Sequence, residues 1–187
     1  MKKIFLLLTL TIGGLVQAQS SFNISLLGRE SYLYDNNDIW GYTDSVGTEY
    51  ALVGTIAGVS IVDISSSQPQ KKQFIQGPFS TWRDLKTWSH YAFVTHDTPF
   101  AWNTVPNQGL LIIDMDSVNE SNPRFKAFNF PIQDSLGNYD TLKTVHNLYC
   151  VFFVKEGNCL IQIFFTFVRN QSNINIIKKN KYIFNIS

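Results

Sequence analysis

The stretch Glu49-Tyr-Ala-Leu-Val-Gly-Thr-Ile-Ala-Gly-Val-Ser-Ile-Val-Asp-Ile-Ser65 decides how the chain is read. Two short apolar, β-branched runs, Tyr50–Val53 and Val59–Ile64, flank a tight segment carrying Gly54 and Gly58. Runs of this length broken by glycine predict paired strands and not a helix. The same pattern returns downstream. Tyr91-Ala-Phe-Val94 answers Tyr50-Ala-Leu-Val53, Gly109-Leu-Leu-Ile-Ile-Asp-Met115 answers Gly58-Val-Ser-Ile-Val-Asp-Ile64, and Asn122-Pro123 answers Gln68-Pro69.

Outward from that core, Asp38-Ile-Trp-Gly-Tyr42 predicts a preceding strand. Thr43–Thr48, with Asp44 and Gly47, turns it back, and Lys71–Gln76 forms a more polar fourth strand stopped by Gly77-Pro78. Residues 38–77 are thus four short antiparallel strands with short links. A second set runs from Asp84-Leu-Lys-Thr-Trp88 through Tyr91–Thr95, the long loop His96–Gln108, and Gly109–Met115 to Arg124–Phe130. Phe22–Leu27 reads as a further strand, and Asn147-Leu-Tyr149 opens a third set. Tyr91 follows Tyr50 by 41 residues, the length of a four-stranded propeller blade of roughly 40–45 residues. The expected fold class is all-β: a partial β-propeller of two four-stranded blades, about 38–77 and 84–130, plus the start of a third. A β-sandwich also uses short strands at similar spacing, but it has no reason to repeat one pattern at blade length.

In a propeller the first strand of each blade lines the central channel. The starts of the three first strands, Asn37-Asp38-Ile39, Arg83-Asp84-Leu85 and His146-Asn147-Leu148, then converge on one channel mouth. Asp38, Arg83, Asp84, His146 and Asn147 are therefore the candidate ligand-binding residues. Trp40, Trp82 and Trp88 are expected to pack between blades, whereas Phe100 and Trp102, on the long loop beside Pro99, are expected to form a contact surface.

Several of these segments, Asn37-Asp-Ile-Trp-Gly-Tyr42, Glu49–Thr55, Ser60-Ile-Val-Asp-Ile-Ser65, Trp82-Arg-Asp-Leu-Lys86, Gly109–Asp114 and His146-Asn-Leu-Tyr149, resemble the choice-of-anchor B proteins. These are exported bacterial proteins built from LVIVD-type repeats. Ser60–Ser65 and Leu111–Met115 are the segments similar to that repeat. The resemblance covers roughly residues 22–149 and implies a secreted or surface-held β-propeller of uncharacterised biochemical role. It stops at Tyr149. Residues 150–187 contain no Ala, Asp or Pro and are rich in Ile, Phe, Asn and Lys, the composition of AT-rich DNA read out of frame. The expectation is a truncated or frameshifted chain with a non-native or disordered tail. The alternative is a genuine hairpin of Tyr149–Val154 and Cys159–Val168. On the first reading the ring is incomplete, and exposed strand edges drive self-association.

Lys2 and Lys3, the apolar run Ile4–Val16 and the small-residue site Val16-Gln-Ala18 read as a signal peptide over residues 1–18, leaving a mature chain that starts at Gln19. The apolar run is too short for a bilayer-spanning helix of roughly 20 residues. Fifteen Lys and Arg against 14 Asp and Glu, interspersed, give a net charge of +1 and no nucleic-acid footprint. Both cysteines, Cys150 and Cys159, lie in the tail, so the body holds no disulfide framework.

The chemistry-bearing residues fit no established catalytic signature. There is no nucleophile elbow, phosphate loop or dinucleotide fingerprint. His90, His96, Asp97 and His146 match no short metal-ligand spacing, so no metal is expected. Asp63 and Asp114 end apolar strands before polar turns. They read as Asx turns in preference to calcium ligands, and no cofactor is expected. The function expected is an exported protein presenting a binding or adhesion surface to an extracellular ligand or surface component. The alternative is a hydrolase or lyase using the channel-mouth residues.

Overall fold

The computed structural model describes residues 24–98, 106–133, 139–142, 144–155, 158–166 and 182–185. Residues 1–18, expected to be a signal peptide, and the loop residues Phe100 and Trp102 lie outside them. The described chain is all-β, with one 3₁₀ turn at Met115–Ser117 and no α-helix. None of its helices is long and apolar enough to cross a membrane.

The first sheet is the meander β1 (Asn36–Thr43), β2 (Glu49–Thr55), β3 (Gly58–Asp63) and β4 (Gln70–Gln76), paired antiparallel in chain order. Its first turn is fixed by a carboxylate. Asp44 Oδ1 accepts the Val46 and Thr48 N–H groups at 3.0 and 2.8 Å, with Gly47 at φ +91°. The second sheet has the same plan: β5 (Leu85–Trp88), β6 (Tyr91–Val94), β7 (Leu110–Asp114) and β8 (Phe125–Phe128). β8 ends at Phe128. Phe130–Gln133 (β9) pairs instead with Tyr139–Leu142 (β10) as a separate hairpin. A third sheet is built from β11 (Asn147–Lys155), β12 (Asn158–Thr166) and β13 (Tyr182–Asn185). Residues 24–30 carry no strand, so the strand expected at Phe22–Leu27 is absent over its described part. Its large apolar side chains, Ile24, Leu26 and Leu27, are exposed, with no sheet to pack against.

Alternation along the strands sorts each sheet into two faces. Leu52 and Ile61 of the first sheet pack with Leu85, Val94, Leu111, Ala92 and Ile113 of the second in one buried cluster, closed at one end by Tyr50, Met115 and Val118. Each fully buried side chain of this kind contributes about 1.5–3 kcal/mol. Close approach is possible because β2 carries Gly54. A Cβ there would meet Asn37 Oδ1 at 2.4 Å and Leu85 Cδ1 at 3.0 Å.

The first strands lie side by side, β1 against β5 and β5 against β11. One device joins them twice. Asp84 O accepts the Thr95 N–H at 3.0 Å, so the bonded positions of β5 are 84, 86 and 88, and the Leu85 N–H points away from β6. Asp38 Oδ2 of β1 accepts it at 2.9 Å. One sheet along, Asp84 Oδ2 accepts the Leu148 N–H of β11 at 2.6 Å. The outer parts are also tied: Gln73 Nε2 donates to the carbonyls of Val118 and Glu120 at 3.0 Å, and Asn119 Nδ2 donates to Tyr50 Oη at 3.0 Å.

Candidate functional site

The antiparallel pairing gathers one set of connections at a single end of the sheets. The starts of β1, β5 and β11, the β2–β3 turn, the segment 77–84 that enters β5, and residues 95–97 after β6 all lie there. So does Gly109, which enters β7 at φ +82°, where a Cβ would strike the Phe128 carbonyl oxygen at 2.2 Å.

Of the candidate residues at this end, three are occupied in holding the sheets together. Asp38 and Asp84 accept the N–H groups of the next sheet, and Asp84 is also paired with Lys86 Nζ, which sits 4.4 Å over the Trp40 ring. Arg83 turns inward. Its guanidinium is buried and donates to the carbonyls of Thr55 at 2.7 Å, Ile56 at 3.2 Å and Pro78. Burial pushes it down to about 10, opposed by the charge of Asp97, so it remains a cation at neutral pH. Adjacent strand residues point to opposite faces, and Arg83 and Asp84 do so here, one toward the first sheet and one toward the third. Asn147 opens β11 and is exposed.

His146 is placed differently. Its Nδ1 lies 2.9 Å from Asp97 Oδ2, and Asp97 Oδ1 accepts the Ser80 hydroxyl at 2.8 Å. The Trp82 ring meets the imidazole edge-on at 5.9 Å. Ser80 also donates to the Trp82 carbonyl at 2.7 Å, its N–H donates to the Ile56 carbonyl, and its own carbonyl accepts from Asn37 Nδ2. The loop Phe79–Trp82 is thus pinned at its backbone while its aromatic side chains stand outside. Phe79 is 55% exposed and Trp82 56%. Tyr34 packs edge-on against Phe79 at 5.4 Å. Trp82 was expected between blades; instead it lies on the surface, because Arg83, the next residue, takes the inward position.

Ser80, Asp97 and His146 do not form a nucleophilic triad. The carboxylate stands between serine and histidine, and a nucleophile needs its base within direct hydrogen-bond reach. Beneath them His96 is 1% exposed, its Nε2 accepting the Gly109 N–H at 3.2 Å and its Nδ1 without a partner among the described residues. Burial first, then the Arg83 charge, pushes it down to about 4, so it is a neutral structural acceptor.

Of His90, His96, Asp97 and His146, Asp97 and His146 are paired, His96 is buried as an acceptor for Gly109, and His90 lies apart, so the four do not form one site. His90 sits in the β5–β6 turn at the opposite end, near Asp114 and Asp116, with ligand atoms within 4.8 Å of one another. Asp114 there accepts the Asp116 N–H at 3.1 Å and pairs with Arg124 Nε at 2.9 Å. Asp63 is matched in the same way: it accepts the Ser65 N–H at 3.0 Å and pairs with Lys72 at 3.2 Å. The Ser65 bond holds its carboxyl below the usual range. A calcium ion would have to displace a cation at either aspartate.

Sequence reasoning missed Ser80, Phe79 and Tyr34, and did not pair Asp97 with His146. No family model, curated protein or solved structure matches the chain.

Proposed function

We propose that the chain is an exported protein of the choice-of-anchor B kind, with its sheets arranged radially as propeller blades, and that it presents a binding surface at the end carrying Tyr34, Phe79, Trp82 and His146. Export rests on the segment Lys2–Ala18. The radial arrangement is supported by the adjacency of β1, β5 and β11 and by the two equivalent aspartate bonds between them.

The observation that carries the binding role is a backbone-pinned loop holding Phe79 and Trp82 in solvent. Aromatic side chains fixed in this way offer large contact area at low entropic cost. His146, oriented by Asp97, supplies a directional polar group beside Trp82. The hydrolase or lyase alternative is less well supported, since Asp38 and Asp84 are committed to backbone N–H groups and Arg83 to buried carbonyls.

The test is a screen of the purified chain against immobilised polysaccharides and peptides. A hit is expected that Trp82→Ala weakens at least about tenfold, with the thermal midpoint unchanged because Trp82 is exposed. No hit in either panel, or a hit insensitive to Trp82→Ala and His146→Ala, would overturn the assignment of this surface.

A further inference from the structure

The groups that the pinned loop leaves unoccupied narrow the kind of ligand it can hold. Its backbone is largely engaged within the chain. The Gly77 N–H donates to the Ala57 carbonyl at 3.0 Å, and Pro78 has no N–H while its carbonyl accepts from Arg83. The Ser80 N–H and carbonyl are both bonded, and the Trp82 carbonyl accepts the Ser80 hydroxyl. An extended peptide is held by pairing its own backbone with groups of this kind when they are free.

The charged side chains of this end are engaged in the same way. Asp38 and Asp84 accept the amides of neighbouring strands, and Asp97 holds the Ser80 hydroxyl and His146. The Arg83 guanidinium is buried against carbonyls. Among the described residues of this end Asp35 is left exposed. An anionic ligand would meet no counter-charge there, and one exposed carboxylate contributes little to holding a cation. What faces solvent is uncharged: the Phe79 and Trp82 rings, the Thr81 hydroxyl in the same loop, and the Asn36 amide at the start of β1. The Nδ1 of His146 is taken by Asp97, which leaves Nε2 to exchange a hydrogen bond with a hydroxyl.

We infer that the surface at Phe79, Trp82 and His146 takes an uncharged polysaccharide, with a sugar ring lying on the Trp82 indole. A sugar ring has the complementary plan. Its apolar C–H face covers an aromatic ring, and its rim of hydroxyls both donates and accepts. Fixed aromatic rings beside uncharged polar groups are what such a chain needs, and neither free backbone nor free charge is required. The inference rests on the binding role proposed above and adds the class of ligand.

Affinity electrophoresis of the purified chain through gels holding a neutral β-glucan, a neutral α-glucan or alginate tests it, with interferometry against a tryptic digest of casein as the peptide arm. Retardation by a neutral glucan is expected, unchanged from about 0.1 to 1 M salt, a range that screens surface charge. Trp82→Ala is expected to weaken it at least about tenfold, with circular dichroism unchanged because the ring is exposed. Phe79→Ala, which removes the other ring of the loop, gives the same reading if Trp82→Ala does not fold. Binding of the peptides or alginate alone, weakened by Trp82→Ala, overturns the polysaccharide class and leaves the binding surface standing. Glucan binding that neither ring variant weakens, or that salt abolishes, overturns this inference. No binding in any arm overturns both.

Discussion

Replacing Arg83 with methionine is expected to lower the free energy of unfolding by about 3 kcal/mol or more, because each buried carbonyl left without a donor costs roughly 1–3 kcal/mol. The carbonyls of Thr55 and Pro78 lose the guanidinium together, and that of Ile56 keeps the Ser80 N–H. They belong to the β2–β3 turn and to the segment leaving β4, so one guanidinium closes the end of the first sheet onto the segment that enters the second. A domain of ordinary stability has only about 5–15 kcal/mol in hand. Arg83→Lys is expected to recover a minor part, since an ammonium on a flexible stem cannot reproduce the planar fork that reaches several acceptors at once. Urea unfolding with an unchanged m value measures the difference. A loss below about 1 kcal/mol, no more than a single exposed hydrogen bond, would mean that water replaces the guanidinium and that Arg83 does not hold the joint.

The second large effect is on the pH dependence. His96 is buried, and its pKa falls from 6.5 in the unfolded chain to about 4 in the fold, through burial and then through the Arg83 charge. Below pH 6.5 the unfolded chain therefore binds a proton that the folded chain refuses. Stability from this group is complete above pH 6.5 and is lost progressively as the pH falls toward 4. The amount is on the order of 3 kcal/mol across that window, at 1.36 kcal/mol per unit of pKa. His96→Gln keeps an acceptor for the Gly109 N–H and removes the titration. The wild-type urea midpoint is expected to drop between pH 6.5 and 4 more steeply than that of His96→Gln, with the two curves parallel above pH 7. Parallel curves over the whole range would show that His96 titrates normally in the fold and that the site is open to water.

Much of the fold is legible in the sequence because its signals are local. Apolar runs of four to six residues broken by Gly54, Gly58 and Gly109, with turn carboxylates at Asp44, Asp63 and Asp114, are enough to lay out two four-stranded sheets. The boundaries are less legible. Phe130-Pro-Ile-Gln133 continues the apolar run after β8, yet it leaves the sheet to pair with Tyr139–Leu142. Phe22–Leu27 alternates as a strand should, but its described residues find no ladder, since pattern alone does not supply a neighbour.

The candidate site is legible in position and not in role. That the starts of the first strands lie together follows from the meander. That Asp38 and Asp84 are consumed by the N–H groups of Leu85 and Leu148 depends on the packing of one sheet on the next, 47 and 64 residues along the chain. The pairing of Asp97 with His146 spans 49 residues, and no spacing rule reaches that far. Trp82 and Arg83 are neighbours of opposite fate. Composition favours burying the tryptophan, but the three carbonyls waiting inside select the arginine.

The account depends most on the first strands running side by side, each joined to the next by an aspartate side chain. Hydrogen exchange at the Leu85 and Leu148 amides tests this directly, because the joining carboxylates are the acceptors found for both. Asp38→Ala is expected to release the Leu85 amide and leave Leu148 protected, and Asp84→Ala is expected to release Leu148 and leave Leu85 protected. If both amides exchange as freely in the wild type as in an open loop, or if neither responds to its own aspartate, the strands are not joined in this way and the arrangement of the sheets fails with them.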